Sequence, residues 1–154
     1  MIQRIQTLYL LIAAILLGAL FFVPFAQIAV KDGAIYRADL LGINPEGINK
    51  PELFPFNWLI LLIWGVSMIL LVATIFLFKN RKMQIRLSII DSIVSLIITG
   101  LIYLKIWSVA KQLSGTYAFT VYLVFPVIAA ILIYLAIRAI RKDELLVRSV
   151  DRIR

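Results

Sequence analysis

The chain has 154 residues, 63 % of them hydrophobic, with a mean hydropathy of +1.02, a formal net charge of +8 and neither histidine nor cysteine. Zinc sites, iron–sulfur clusters, His-ligated haem, thiol nucleophiles and Ser/His hydrolysis each need one of the two missing residue types, which excludes those chemistries. The positive charge does not indicate nucleic acid, because the basic residues crowd at the ends of apolar runs and form no basic face on a soluble fold.

Four runs are almost free of charge: 5–30, 53–78, 87–110 (interrupted by Asp91 and Lys105) and 112–137. Each exceeds the roughly 20 residues that cross a ~30 Å hydrocarbon layer at ~1.5 Å rise. Lipid offers no partner to unpaired backbone groups, and runs this continuous lack the alternation of strands. The reading is an all-α membrane protein, a four-transmembrane-helix bundle forming a single domain over 1–154. Its spans lie at about 5–26, 54–78, 87–108 and 117–138, with an outer loop at 27–53 and a tail at 139–154.

The first run follows Arg4 and reads as a retained helix rather than a cleaved signal peptide. It outlasts the roughly 7 to 15 apolar residues of a signal, and Phe21, Phe22 and Phe25 crowd the place of a small-residue cleavage motif. After it, Gln27 to Val30 and Ala34 to Arg37 are β-prone runs about Asp32-Gly33, which predicts a small hairpin, with the first helix ending near Pro24 to Ala26. The alternative is a disordered loop. Gly42, Asn44, Pro45, Gly47, Asn49 and Pro51 then form a breaker-rich stretch before the second span.

The third run carries Asp91, the one acidic residue inside a span, where burial costs on the order of 2.5 to 3.5 kcal/mol. With the span starting near Leu87, Asp91 lies about one turn, ~6 Å, inside the cytoplasmic end. A structural ion pair with Arg86, Lys82 or a basic tail residue, or a polar helix-end contact, is favoured there. A proton relay or cation site would place carboxylates nearer the midplane, and an aspartyl intramembrane protease needs two. Lys105, flanked by Tyr103 and Trp107, reads as a snorkelling anchor in an aromatic belt. Ser88, Ser92, Ser95 and Thr99 share one helical face; with Ala14 and Gly18 on the first span, and Gly65, Ser67 and Thr74 on the second, they suit close helix packing or, alternatively, a polar pathway. Pro126 is placed to kink the fourth span.

Beyond the fourth span, 138–154 contains no glycine or proline and is expected to continue as an amphipathic helix, with Glu144 and Arg148 paired at i, i+4 and Leu146, Val150 and Ile153 along one stripe. Arg4, the junction with Lys79, Arg81, Lys82 and Arg86, and a tail with six basic residues together hold 11 of the 16 lysines and arginines. The positive-inside rule therefore puts both termini and the second junction in the cytoplasm. Candidate interaction residues are Asp91, Arg86, Lys82, Arg141, Lys142, Asp143, Glu144 and Arg148. The tail fits anionic lipid, or another protein, since Asp143, Glu144 and Asp151 do not suit lipid attraction alone.

Three segments carry a resemblance: the opening Met1-Ile2-Gln3-Arg4-Ile5-Gln6-Thr7, the junction from Thr74 through Lys79-Asn80-Arg81-Lys82-Met83-Gln84-Ile85-Arg86 to Leu87, and the closing Ala136-Ile137-Arg138-Ala139-Ile140-Arg141-Lys142-Asp143-Glu144 with Val147-Arg148-Ser149 and Asp151-Arg152. With these the chain resembles a bacterial four-span family catalogued as domain of unknown function 4293. The resemblance implies an inner-membrane protein with no assigned activity, and it carries over no catalytic, cofactor-binding or metal residue. The expected role is a non-enzymatic accessory, assembly or scaffolding subunit. It would need no cofactor, and its partners would be the phospholipid membrane together with another membrane protein or further copies of itself. A small oligomeric transporter or channel, and a lipid-modifying enzyme, are the alternatives.

Overall fold

The computed structural model describes residues 3–30, 33–46, 58–77 and 80–151, with the backbone alone at 3–4 and 146–151. The expected turn residue Asp32, the breakers Gly47, Asn49 and Pro51, the start of the second span near 54, and the side chains of Arg148, Leu146, Val150 and Ile153 lie outside that description. Four helices, α1 (Gln3–Ala19), α2 (Trp58–Phe76), α3 (Arg81–Gln112) and α4 (Phe125–Asp151), touch in the cyclic order α1, α2, α3, α4 and back to α1, with α4 packed most extensively. α2, α3 and the helical segment Val121–Leu145 are long and apolar enough to cross a membrane; the apolar part of α1, Ile5–Ala19, is shorter. Their outward faces are as apolar as the core, with Leu8, Ile15, Leu62, Ile69, Ile93, Leu96 and Ile131 all exposed.

The all-α expectation needs correcting, because β1 (Ala26–Ala29), β2 (Ile35–Ala38), β3 (Ile43–Pro45) and β4 (Thr116–Phe119) form an antiparallel sheet in the order β3-β2-β1-β4. The hairpin read from the sequence is there: Ala29 pairs Ile35, and Gly33 at φ 79° supplies the positive dihedral of its turn. α1 stops at Ala19, short of the 5–26 expected. Pro24 cannot continue a helix, and the last turn tightens through Phe21 N–H to Gly18 O at 3.1 Å. The indole Nε1 of Trp64 donates to the otherwise unpaired Leu17 carbonyl at 2.9 Å.

The far end is set by α3, which runs past 108 to Gln112. There Ser114, at φ 49°, donates to Lys111 O (3.3 Å) and Gly115 to Ala110 O (3.0 Å), the paired bonds of a Schellman cap. A Cβ on Gly115 would lie 2.7 Å from Ala29 O, so only glycine lets β4 close on β1. Residues 117–119, assigned above to the fourth span, therefore pair with β1 together with Thr116, and α4 begins after a single 3-10 turn. Pro126 is the second residue of α4, where no intrahelical donor is needed; it starts the helix rather than kinking it.

The sheet lies across one end of the helices. Ala26, Ile28, Ala38, Leu40 and Ile43 pack with Leu20, Phe25, Ile60, Ile98, Ile102, Ile106 and Val109 in one apolar cluster. A second cluster, Leu10, Ala13, Leu17, Leu71, Ala129, Ile133, Ala136 and Ile137, fills the other half from α1, α2 and α4.

Candidate functional site

No buried apolar residue of α3 joins that second cluster, because at that depth the inward face of α3 is polar. Its buried row runs Gln84, Ser88, Asp91, Ser95, Ile98, Ile102, Ile106 and Val109; spacings of four and three alternate as far as Ile102, like a coiled-coil seam, and a second four follows to Ile106. The first four are an amide, two hydroxyls and a carboxylate; the rest are aliphatic. Facing them from α2 are Ser67, Leu71 and Thr74, and Gln6 is buried on α1.

Asp91 sits at the centre of the row and is 1 % exposed. Ser67 Oγ donates to its Oδ1 at 2.5 Å, while Oδ2 has no hydrogen-bond partner among the described residues. The hydroxyls of Ser88 and Ser95, one turn to either side, are also buried and unpartnered. Gln84 Nε2 donates to Thr74 O at 3.2 Å, meeting a carbonyl in the last turn of α2, and Thr74 Oγ1 donates back to Leu70 O at 2.7 Å.

The ion pair expected for Asp91 is not what the structure contains. α3 starts at Arg81, so Asp91 lies ten residues, ~15 Å, from the start of the helix. Its partner Ser67 is the tenth of nineteen residues in α2, the middle of that helix. At 100° per residue Arg86 and Lys82 stand about 140° and 180° round the helix from Asp91, and both are exposed. The cross-helix ion contact belongs instead to Arg81 and Asp143, 2.9 Å apart at an angle outside hydrogen-bonding geometry, tying the start of α3 to the end of α4. One of the acidic residues offered as a reason for a protein partner of the tail is thus engaged within the chain. Arg138, Arg141 and Lys142 are exposed at the same end, and Glu144 is half-buried.

The hydroxyl face also divides. Ser88 and Ser95 point inward, Ser92 Oγ donates to Ala130 O on α4 at 3.3 Å, and Thr99 Oγ1 bonds Ser95 O of its own helix at 3.3 Å. Gln84 and Gln6 were not among the residues singled out from the sequence, although the spacing of Gln84 from Ser88 and Asp91 extends the same seam. Near the sheet, Tyr103 stacks on Phe119 of β4 (centroids 5.5 Å apart), and the Tyr103 hydroxyl beside Tyr117 holds the Tyr117 phenol above its ordinary pKa. The cation over Trp107 is Lys111, 5.4 Å from the ring centroid; Lys105 is half-buried.

On the outer side of α2, Met68, Ile69, Val72 and Ala73 line an open apolar groove of about 370 Å³, which offers a polar ligand nothing. Among the described residues no group of three or more carboxylates is arranged to hold a metal ion. No curated protein matches the chain. The family model described as Domain of unknown function (DUF4293) matches residues 2–153, which together with the three long apolar helices makes this chain a member of that family.

Proposed function

We propose that the protein crosses a bacterial inner membrane four times with both termini in the cytoplasm, and works as a non-enzymatic accessory or assembly subunit of a larger membrane complex. The observation carrying the role is the filled sheet-side half: Leu20, Ile28, Ile98, Ile102 and Ile106 are each at most 1 % exposed, so the polar row ends against a solid apolar plug. A body closed in this way has its surfaces to offer rather than an internal route. One such surface is α4, whose 27 residues span ~40 Å and overshoot a hydrocarbon layer by ~10 Å, braced by the Arg81–Asp143 contact.

Four spans are supported by α1, whose 17 residues cover ~25 Å alongside α4 before the chain turns into the sheet. The exposed Lys82, Arg86, Arg138, Arg141 and Lys142 at one end support the orientation, whereas Arg37 at the sheet end is paired with Glu46 at 2.8 Å. Because the chain has no cysteine, single substitutions report topology cleanly. A membrane-impermeant thiol reagent applied to intact cells should label Leu41→Cys, exposed at the sheet end, and spare Lys142→Cys; the reverse pattern would overturn the orientation. Extraction in mild detergents should recover a stoichiometric membrane-protein partner or a defined homo-oligomer, and a lone monomer in every detergent would count against the role.

The contact of Asp91 with Ser67 at the middle of α2 supports a second reading, a small transporter or channel whose path forms between copies. Flux through reconstituted vesicles that is lost in Asp91→Asn would favour it.

A further inference from the structure

Asp91 is the one charged side chain in the buried interior among the described residues; its buried polar neighbours are serines, a threonine and glutamines. A carboxylate there, with one hydroxyl donor on Oδ1 and nothing on Oδ2, is poorly compensated. Buried polar atoms without partners call for an explanation, and three of them are adjacent on one face: Ser88 Oγ, Asp91 Oδ2 and Ser95 Oγ. All three are oxygens. Helical side chains lean toward the N-terminus, so the Ser95 hydroxyl inclines back over Asp91 and the carboxylate inclines toward Ser88. Ser67 gives its hydrogen to Oδ1 and keeps its lone pairs.

We propose that this cluster is a binding site for a small monovalent cation, held by Asp91 Oδ2 together with the hydroxyl oxygens of Ser67 and Ser95, and by Ser88 through a water. Hard oxygen donors suit an alkali ion. A single carboxylate balances one positive charge and would leave a divalent ion half-neutralised inside an apolar wall of Leu10, Leu71, Ala129 and Ile133. Among the described residues no lysine or arginine is buried to play that part. The polar row continues through Ser88 and Gln84 toward the Arg81 end, and Ile98, Ile102 and Ile106 close the other direction. The ion therefore enters and leaves from one side, and the site is a dead end rather than a step in a path through this chain. It is independent of the accessory role and of any partner.

The test is thermal unfolding of the full-length purified protein, followed by the fluorescence of Trp58, Trp64 and Trp107 in lithium, sodium, potassium or choline chloride at equal ionic strength. At least one alkali cation should raise Tm saturably over choline, by about 3–6 °C at ten times its dissociation constant. The rise should vanish in Asp91→Asn and need about tenfold more cation in Ser95→Ala. Equal Tm in alkali and choline salts, or an undiminished response in Asp91→Asn, would mean that the cluster holds only a proton or water and would overturn the site. Should Asp91→Asn fail to fold, binding of radioactive sodium to the wild-type protein decides. Saturable uptake of about one ion per chain, competed by lithium or potassium and weakened in Ser95→Ala, upholds the site; uptake at background levels overturns it.

Discussion

The two halves of the helical body use the same inward spacing and opposite chemistry. Toward the sheet, the α3 seam is Ile98, Ile102, Ile106 and Val109, packed on Ile28 and Ala38 of a hydrogen-bonded sheet. Toward Arg81 the same seam is Gln84, Ser88, Asp91 and Ser95, against Ser67 and Thr74. The sheet-side half is held by contact area and leaves its side chains no unmet demand. The other half is held by few directed bonds and keeps unpartnered oxygens in its interior. A periodic pattern thus says which face is inward without saying what that face is for, since packing and ligand binding use the same positions.

The largest effects should fall on the sheet-side half. Ile102→Ala removes a fully buried side chain from a filled core and should lower the unfolding free energy in detergent by about 2 kcal/mol or more. Gly115→Ala, which places a Cβ 2.7 Å from Ala29 O, should cost about 1–3 kcal/mol and speed hydrogen exchange in β1 and β4. In the polar half, Ser67→Ala leaves Asp91 without its one donor and should cost about 1–3 kcal/mol in choline medium. The Arg81–Asp143 contact is partly exposed, at 27 % and 14 %, so Arg81→Gln should cost only about 0.2–1 kcal/mol, less at high salt. Ser95→Ala in choline should stay within about 0.5 kcal/mol of the wild type, because its hydroxyl makes no bond there. If Ser95→Ala destabilised as much as Ile102→Ala, the contrast between the halves would collapse.

The hairpin was readable because its signals are local: two β-prone runs flank a glycine that the turn needs at positive φ. β4 was not, since Thr116-Tyr117-Ala118-Phe119 is equally at home in an apolar helix, and its partner Ala26–Ala29 lies some ninety residues earlier. The exclusion of Lys82 and Arg86 from Asp91 was available from helical angles alone. It was hidden because the start of α3 was placed at the end of the charged junction, whereas the helix runs through those charges from Arg81.

By itself the sequence determined the long apolar helices and the hairpin, which follow from spacing along one segment, and the family, which follows from the residues themselves. The tertiary structure alone decided that β1 sits between β2 and β4, that α1 ends at Ala19, and that Asp91 meets Ser67 at the middle of α2. The physical reason is that residue spacing sets the face of a helix, whereas the axial offset between two helices is set by packing along their whole length. Depth, and with it the partner of a buried charge, belongs to that offset.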